Sequence, residues 1–163
     1  MAARFEAVII EKDALRGALL RSQEIVNLLM NTGKNAAEFT DFATGSRSPA
    51  KERVISRFFV PGTTQVDKNF ITMRSALSYS PNGSINRARL FVYIICNEDQ
   101  MDLEQGSRAD LLANEIDKIL NRPDSIFGLG GVRLIASEET QFNNNFYGLT
   151  LTYATNEHNR DAG

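Results

Sequence analysis

Leu90-Phe91-Val92-Tyr93-Ile94-Ile95-Cys96 is the stretch on which the fold turns. Seven residues without a charge, rich in β-branched and aromatic types and flanked by Arg87/Arg89 and Glu98/Asp99, read as a strand covered on both faces. Such a strand belongs in the middle of a sheet, and something apolar has to lie on it. The next patterned stretch, residues 107–120, supplies that cover: Ala109, Leu112, Ala113, Ile116 and Leu120 recur at helical spacing. Ser107 and Asp110 form the S-x-x-D pattern of a capped helix start, and Pro123 sets where the helix must have ended.

Upstream of the central stretch, residues 70–79 alternate, with Ile71, Met73, Leu77 and Tyr79 on one face and Thr72, Arg74 and Ser78 on the other. Pro81-Asn82-Gly83-Ser84 is turn chemistry, so residues 70–79 and 87–96 are expected to pair as an antiparallel hairpin. Val54-Ile55-Ser56-Arg57-Phe58-Phe59-Val60 reads as a further strand, ended by Pro61-Gly62. Residues 13–30 carry Leu15, Leu19, Ile25, Val26, Leu29 and Met30 as the stripe of one amphipathic helix, with Asp13 as N-cap and Asn31-Thr32-Gly33 as its stop. Between them, residues 34–53 form a long excursion in which Phe39 and Phe42 either close over the domain's own core or pack on a neighbouring subunit.

Downstream, residues 132–136 and the alternating run 146–154 read as two more strands joined by a polar connector, and 156–163 as a flexible polar tail. The expectation is a single α+β domain over 1–155: a largely antiparallel sheet of about five strands with two main helices packed on one face.

The bulk numbers narrow the function classes. A chain of 163 residues buries about two thirds of its unfolded surface in one core. The formal net charge of -2 gives no overall attraction for phosphate backbones or anionic lipid. No apolar run approaches the ~20 residues of a membrane helix, and the opening Met1-Ala2-Ala3-Arg4-Phe5-Glu6 lacks the pattern of an export signal. A soluble protein made in a reducing cytoplasm is expected, with the single Cys96 as a buried small hydrophobe.

Few residue types here can carry chemistry. His158, the only histidine, falls in the polar tail, so a nucleophile paired with histidine would have to be built from a terminus. One Cys and one His far apart offer no zinc spacing. Glu98, Asp99, Asp102 and Glu104 make either a solvated acidic loop or a weak Ca²⁺ or Mg²⁺ site; Met101 stands where EF-hand spacing needs an oxygen. Gly128-Leu129-Gly130-Gly131 lacks the Lys-Ser/Thr of a phosphate loop and precedes a strand. Arg87-Ala88-Arg89-Leu90-Phe91-Val92-Tyr93-Ile94 echoes an RNA-recognition strand without its glycines. Neither a catalytic group, a cofactor site nor a metal site is expected.

The layout itself resembles a known family. An N-terminal helix, strands with long polar excursions, a central strand ending in an acidic turn (91–99), a helix of the form Arg108-Ala109-x-x-x-Ala113-x-x-Ile116-x-x-Ile119-Leu120 and a closing alternating strand (146–154) resemble the tail-terminator or tail-completion proteins of long-tailed bacteriophages. The resemblance implies a non-enzymatic virion protein at the head-proximal end of the tail. There it forms a homo-oligomeric ring, a hexamer in that family, which caps the tail tube, ends its growth and presents a surface to the head connector, with DNA only passing through the lumen. It also implies where contacts with subunits and the tube protein fall: Phe39, Phe42 and Arg47 in the first excursion, Thr64 and Asp67 in the second connector, and Glu98, Asp99, Asp102 and Glu104 in the acidic turn.

Overall fold

A computed structural model describes residues 4–62, 68–79, 81–82, 85–122 and 132–155. Three α-helices, α1 (Arg4–Arg21), α2 (Gln23–Met30) and α3 (Arg108–Leu120), accompany a five-stranded mixed sheet, which makes the fold α+β. The sheet strands are β1 (Val54–Ile55), β2 (Phe70–Tyr79), β3 (Ile85–Asn97), β6 (Val132–Asn143) and β7 (Phe146–Thr155), in the order β1-β2-β3-β7-β6. Two short strands, β4 (Asp102–Leu103) and β5 (Gly106–Ser107), form a separate ribbon before α3. Every sheet pairing is antiparallel except β1 with β2, where Val54 lies beside Ile71 and Ile55 beside Thr72.

The apolar run is the middle strand. β3 pairs with β2 on one side (Ile94 opposite Ile71, Val92 opposite Met73) and with β7 on the other (Ile94 opposite Leu149, Val92 opposite Leu151). Leu90, Val92, Ile94 and Cys96 join Leu15, Leu19, Ile25, Leu29, Leu112 and Ile116 in the main core, so alternate β3 residues share one cluster with all three helices. The other parity, Phe70, Ile95 and Phe146, makes a smaller cluster against which Phe59, Tyr93 and Phe142 pack. Coverage on both faces is thus real, but the second cover is a strap of chain, with Phe58 on Tyr93 at 4.6 Å and Phe59 on Phe70 at 5.6 Å between ring centroids.

Four expectations change. The helix read over 13–30 is two helices: α1 starts nine residues before Asp13, which lies inside it, and the chain is extended at Ser22, whose Oγ accepts from the Ile25 N–H at 3.4 Å and caps α2. The apolar stripe already shows the break, because the turn after Leu19 is occupied by Ser22 and Gln23. The strand read over 54–60 keeps only Val54 and Ile55; beyond them the rings of Phe58 and Phe59 pack on Tyr93 and Phe70 of the sheet instead of continuing along its edge. β6 continues through the polar connector to Asn143, whose Oδ1 accepts from the N–H groups of Asn145 (2.9 Å) and Phe146 (3.1 Å) and closes a tight hairpin into β7. At the start of α3 the Ser107 hydroxyl makes no cap and lies 3.3 Å from Met101 Sδ instead.

Gly148 in β7 admits no side chain: a Cβ there would sit 1.7 Å from the Ile94 carbonyl oxygen, which is backbone and cannot swing aside. Gly148→Ala is therefore expected to separate β7 from β3 and lower the melting temperature sharply. Ile116→Asp, placing a carboxylate at a fully buried position, is expected to unfold the chain, because an unpaired buried charge costs several kcal/mol (roughly 3 or more). Circular dichroism melting checks both, and native-like melting of either variant would contradict the packing.

Candidate functional site

The end of the sheet where β3 finishes gathers most of the residues singled out from the sequence. Two irregular segments meet there, the excursion after α2 and the connector 98–107, and neither has enough regular structure to hold itself. Arg108, the first residue of α3, holds both. It is fully buried, and its guanidinium donates from Nη1 to the Leu28 carbonyl near the end of α2, from Nη2 to the Gly33 carbonyl at 3.2 Å, and from Nε to the Gln100 carbonyl at 2.8 Å. The Phe39 ring lies over it, 5.5 Å from centroid to Cζ. No carboxylate among the described residues pairs with it. Burial pulls its pKa down, and the aligned carbonyls at the negative end of α2 favour the cation. Arg53 adds a second guanidinium at the same helix end, donating to the Leu29 carbonyl at 2.5 Å.

Side-chain amides complete the stitching. Asn31 pairs with Thr40 like a strand neighbour, its Nδ2 donating to the carbonyl and its Oδ1 accepting the N–H, both at 3.0 Å. Gln23 and Asn27 hold Phe42 in the same way, and Asn27 Nδ2 donates to Asp41 at 2.8 Å. Gln105 bridges the two segments, accepting from the Ala36 N–H and donating to Asn35 Oδ1, while the Glu104 N–H donates to the Lys34 carbonyl at 2.7 Å. The fully buried Asn69 accepts from the Asn97 N–H and donates to Gln100 Oε1, fixing the turn Glu98–Gln100.

Phe39 and Phe42 are half-buried and pack against the chain's own core, with their remaining surface outward. Arg47 is exposed in the 3-10 turn Gly45–Arg47. Glu98, Asp99, Asp102 and Glu104 are all exposed along the connector. Among the described residues no group of three or more His, Cys, Asp or Glu is placed to hold a metal ion. Thr64, Asp67, His158, residues 128–131 and the tail 156–163 lie outside the described residues. An open groove of about 380 Å³ runs between the start of α3 and the β6–β7 hairpin, with Asp110, Glu139 and Gln141 on its walls and Met101 and Tyr147 in its lining. The two aromatics of the RNA-recognition echo are already stacked within the chain: Arg74 lies over Phe91 at 4.2 Å, and Phe58 packs on Tyr93.

Sequence reasoning missed Arg108 because a cation at a helix start reads as surface. One signal was present: Arg108 follows a helix-start serine and precedes the first buried position of the stripe, so it could turn inward. Replacing it with Met keeps the volume but removes every donor. Each carbonyl left dry costs about 1–3 kcal/mol, so Arg108→Met is expected to lose more stability in chemical denaturation than Arg108→Lys, which retains the charge.

Cys96 is enclosed in the core, and burial pushes its thiol up to about 12 from an ordinary value of 9.0; the Tyr153 hydroxyl, buried and donating to Asp117 at 2.9 Å, is also raised. Both groups are kept neutral in the fold, so the Cys96 contribution is complete below pH 9 and is lost as pH rises through 9 to about 12, while that of Tyr153 declines as pH rises above 10. Alkaline titration of stability should show this loss, and a thiol reagent at neutral pH should label Cys96 only after unfolding.

No described helix is long and apolar enough to cross a membrane. No curated protein and no solved structure matches the chain. The YomW family model matches residues 22–155, from the serine that caps α2 to the last residue of β7, and so takes in the core strands, Arg108 and the stitched platform. The chain belongs to the YomW family and is a phage-related protein.

Proposed function

We propose that this phage-related protein is a structural component of the virion: a ring that caps the phage tail tube, ends its growth and presents the surface joined to the head connector. The observation that carries the reading is the platform at the end of the sheet. Side-chain hydrogen bonds fix two irregular segments, and what those segments display outward is a set of exposed carboxylates (Glu98, Asp99, Asp102, Glu104) together with the outer surfaces of Phe39 and Phe42. A pre-ordered surface of this kind loses little entropy on docking, which suits an assembly contact better than a loop that orders on binding. An acidic surface also repels DNA phosphates, as a ring around a DNA passage requires. Family membership supplies the phage context. The protein acts without catalysis, through contacts with its own copies, the tube protein and the connector; Arg47, Thr64 and Asp67 belong to the same contact set.

A second reading, a small-ligand module, draws on the groove between α3 and the β6–β7 hairpin. The two separate cleanly. Negative-stain imaging and native mass of the purified protein, alone and with tail tubes, should give closed rings or rings seated on tube ends; long polymers would make it a tube protein, and a monomer under every condition would overturn the ring. A melting temperature that climbs with added nucleotide or divalent cation would favour the ligand module. Glu98→Lys with Asp102→Lys changes only exposed side chains, so the fold should melt within about 0.5 kcal/mol of the parent while joining of heads to tails in an assembly assay falls severalfold.

A further inference from the structure

Among the described strands the sheet ends in two open edges on opposite sides. β6 is bonded only to β7, and beyond Ile71 and Thr72, where β1 covers it, β2 is bonded only to β3 among the described strands. Long unpaired edges template pairing with another chain unless they are blunted. Register slips bound the regular part of β6 at 136–141, and in β2 the stretch 73–78 runs from the end of the β1 pairing to the slip after Ser78, six residues against six.

We propose that the sheet continues from copy to copy, the open edge of β6 pairing antiparallel with the open edge of β2 in the next subunit; this rests on the ring reading and names the contact that would build the ring. Strand direction permits it. β2 runs opposite to β3, and β6 runs with β3, so a second copy placed beside the first in the same orientation brings β6 against β2 antiparallel. That is a heterologous contact, the type that closes into rings.

Side chains select the register. Arg74, paired to Phe91, shares a sheet face with Ala136 through the Phe91–Thr152–Ala136 row, and hence with Glu138. Setting Arg74 opposite Glu138 places Ala76 opposite Ala136 and Ser75 opposite Ser137. Opposite charges face each other and small residues face small, each a favourable cross-strand pair. A slip of one residue would turn Arg74 and Glu138 to opposite faces. The alternative of two β6 edges paired about their centre sets Glu138 and Glu139 of one copy against those of the other, a like-charge arrangement that disfavours a symmetric dimer.

Because the sole native thiol, Cys96, is buried, introduced cysteines report the contact directly. Ser75→Cys with Ser137→Cys in one chain, oxidised and run on a denaturing gel, should give a ladder of linked multimers, whereas each single variant stays monomeric and their equimolar mixture stops at dimers. Arg74→Glu and Glu138→Arg should each reduce the assembled fraction severalfold, and mixing the two should restore it, since one variant then has two negative edges and the other two positive ones. Self-linked dimers from a single variant would overturn the contact. So would rings in native mass with no ladder and no effect of charge reversal, an outcome that leaves the ring reading standing; a protein monomeric with and without tail tubes removes both.

Discussion

A buried guanidinium with no carboxylate partner among the described residues is the constraint on which the arrangement depends. Taking Arg108 out of water is costly, and the chain offsets that cost with carbonyls from three separate places: the end of α2, the loop at Gly33 and the turn at Gln100. None of these can move without stranding a charge in a dry site. One side chain therefore fixes the end of α2, the path out of it, the acidic turn and the start of α3 relative to one another. The Phe39 ring over the guanidinium ties the first excursion to the same point.

Around that cation the chain relies on amides. Asn27, Asn31, Asn69, Gln105 and Asn143 each bond to backbone groups or to other amides of segments that have no ladder of their own. Buried backbone groups must be paired somewhere, and here side chains do what strand neighbours do elsewhere. The consequence is a polar, irregular end of the molecule held by specific side-chain to backbone bonds. Such an end can present exposed carboxylates in defined positions, the property an assembly surface needs.

The rest of the surface divides according to how the sheet is built. Leu90, Val92, Ile94 and Cys96 of β3 belong to the core shared with the helices, while the strap carrying Phe58 and Phe59 packs on Tyr93 and Phe70. Among the described strands, what stays open is backbone, along β6 and the uncovered part of β2. Fold and surface together thus describe a unit whose unused bonding capacity lies at its edges and whose charge lies at one end.

Much of this was legible in order along the chain. The charge-free run at residues 90–96 read as a central strand, the spacing of Leu112, Ile116 and Leu120 as its helical cover, and the alternation of 70–79 as its hairpin partner, because burial of apolar side chains has a fixed period; the register, with Phe70 opposite Ile95 and a slip after Ser78, came from the structure. Local signals fell short where long-range contacts competed with them. Ser22 breaks a helix because its hydroxyl caps the next one; the run after Ile55 leaves the sheet because two phenylalanines find Tyr93 and Phe70 across it; polar residues 138–143 become strand because Asn143 closes a hairpin. The inward turn of Arg108 was the least visible of all. By itself the sequence determined which residues must be buried, since that follows from side-chain chemistry at each position. Only the tertiary structure decided which polar groups would be buried with them, since that depends on partners supplied from distant parts of the chain.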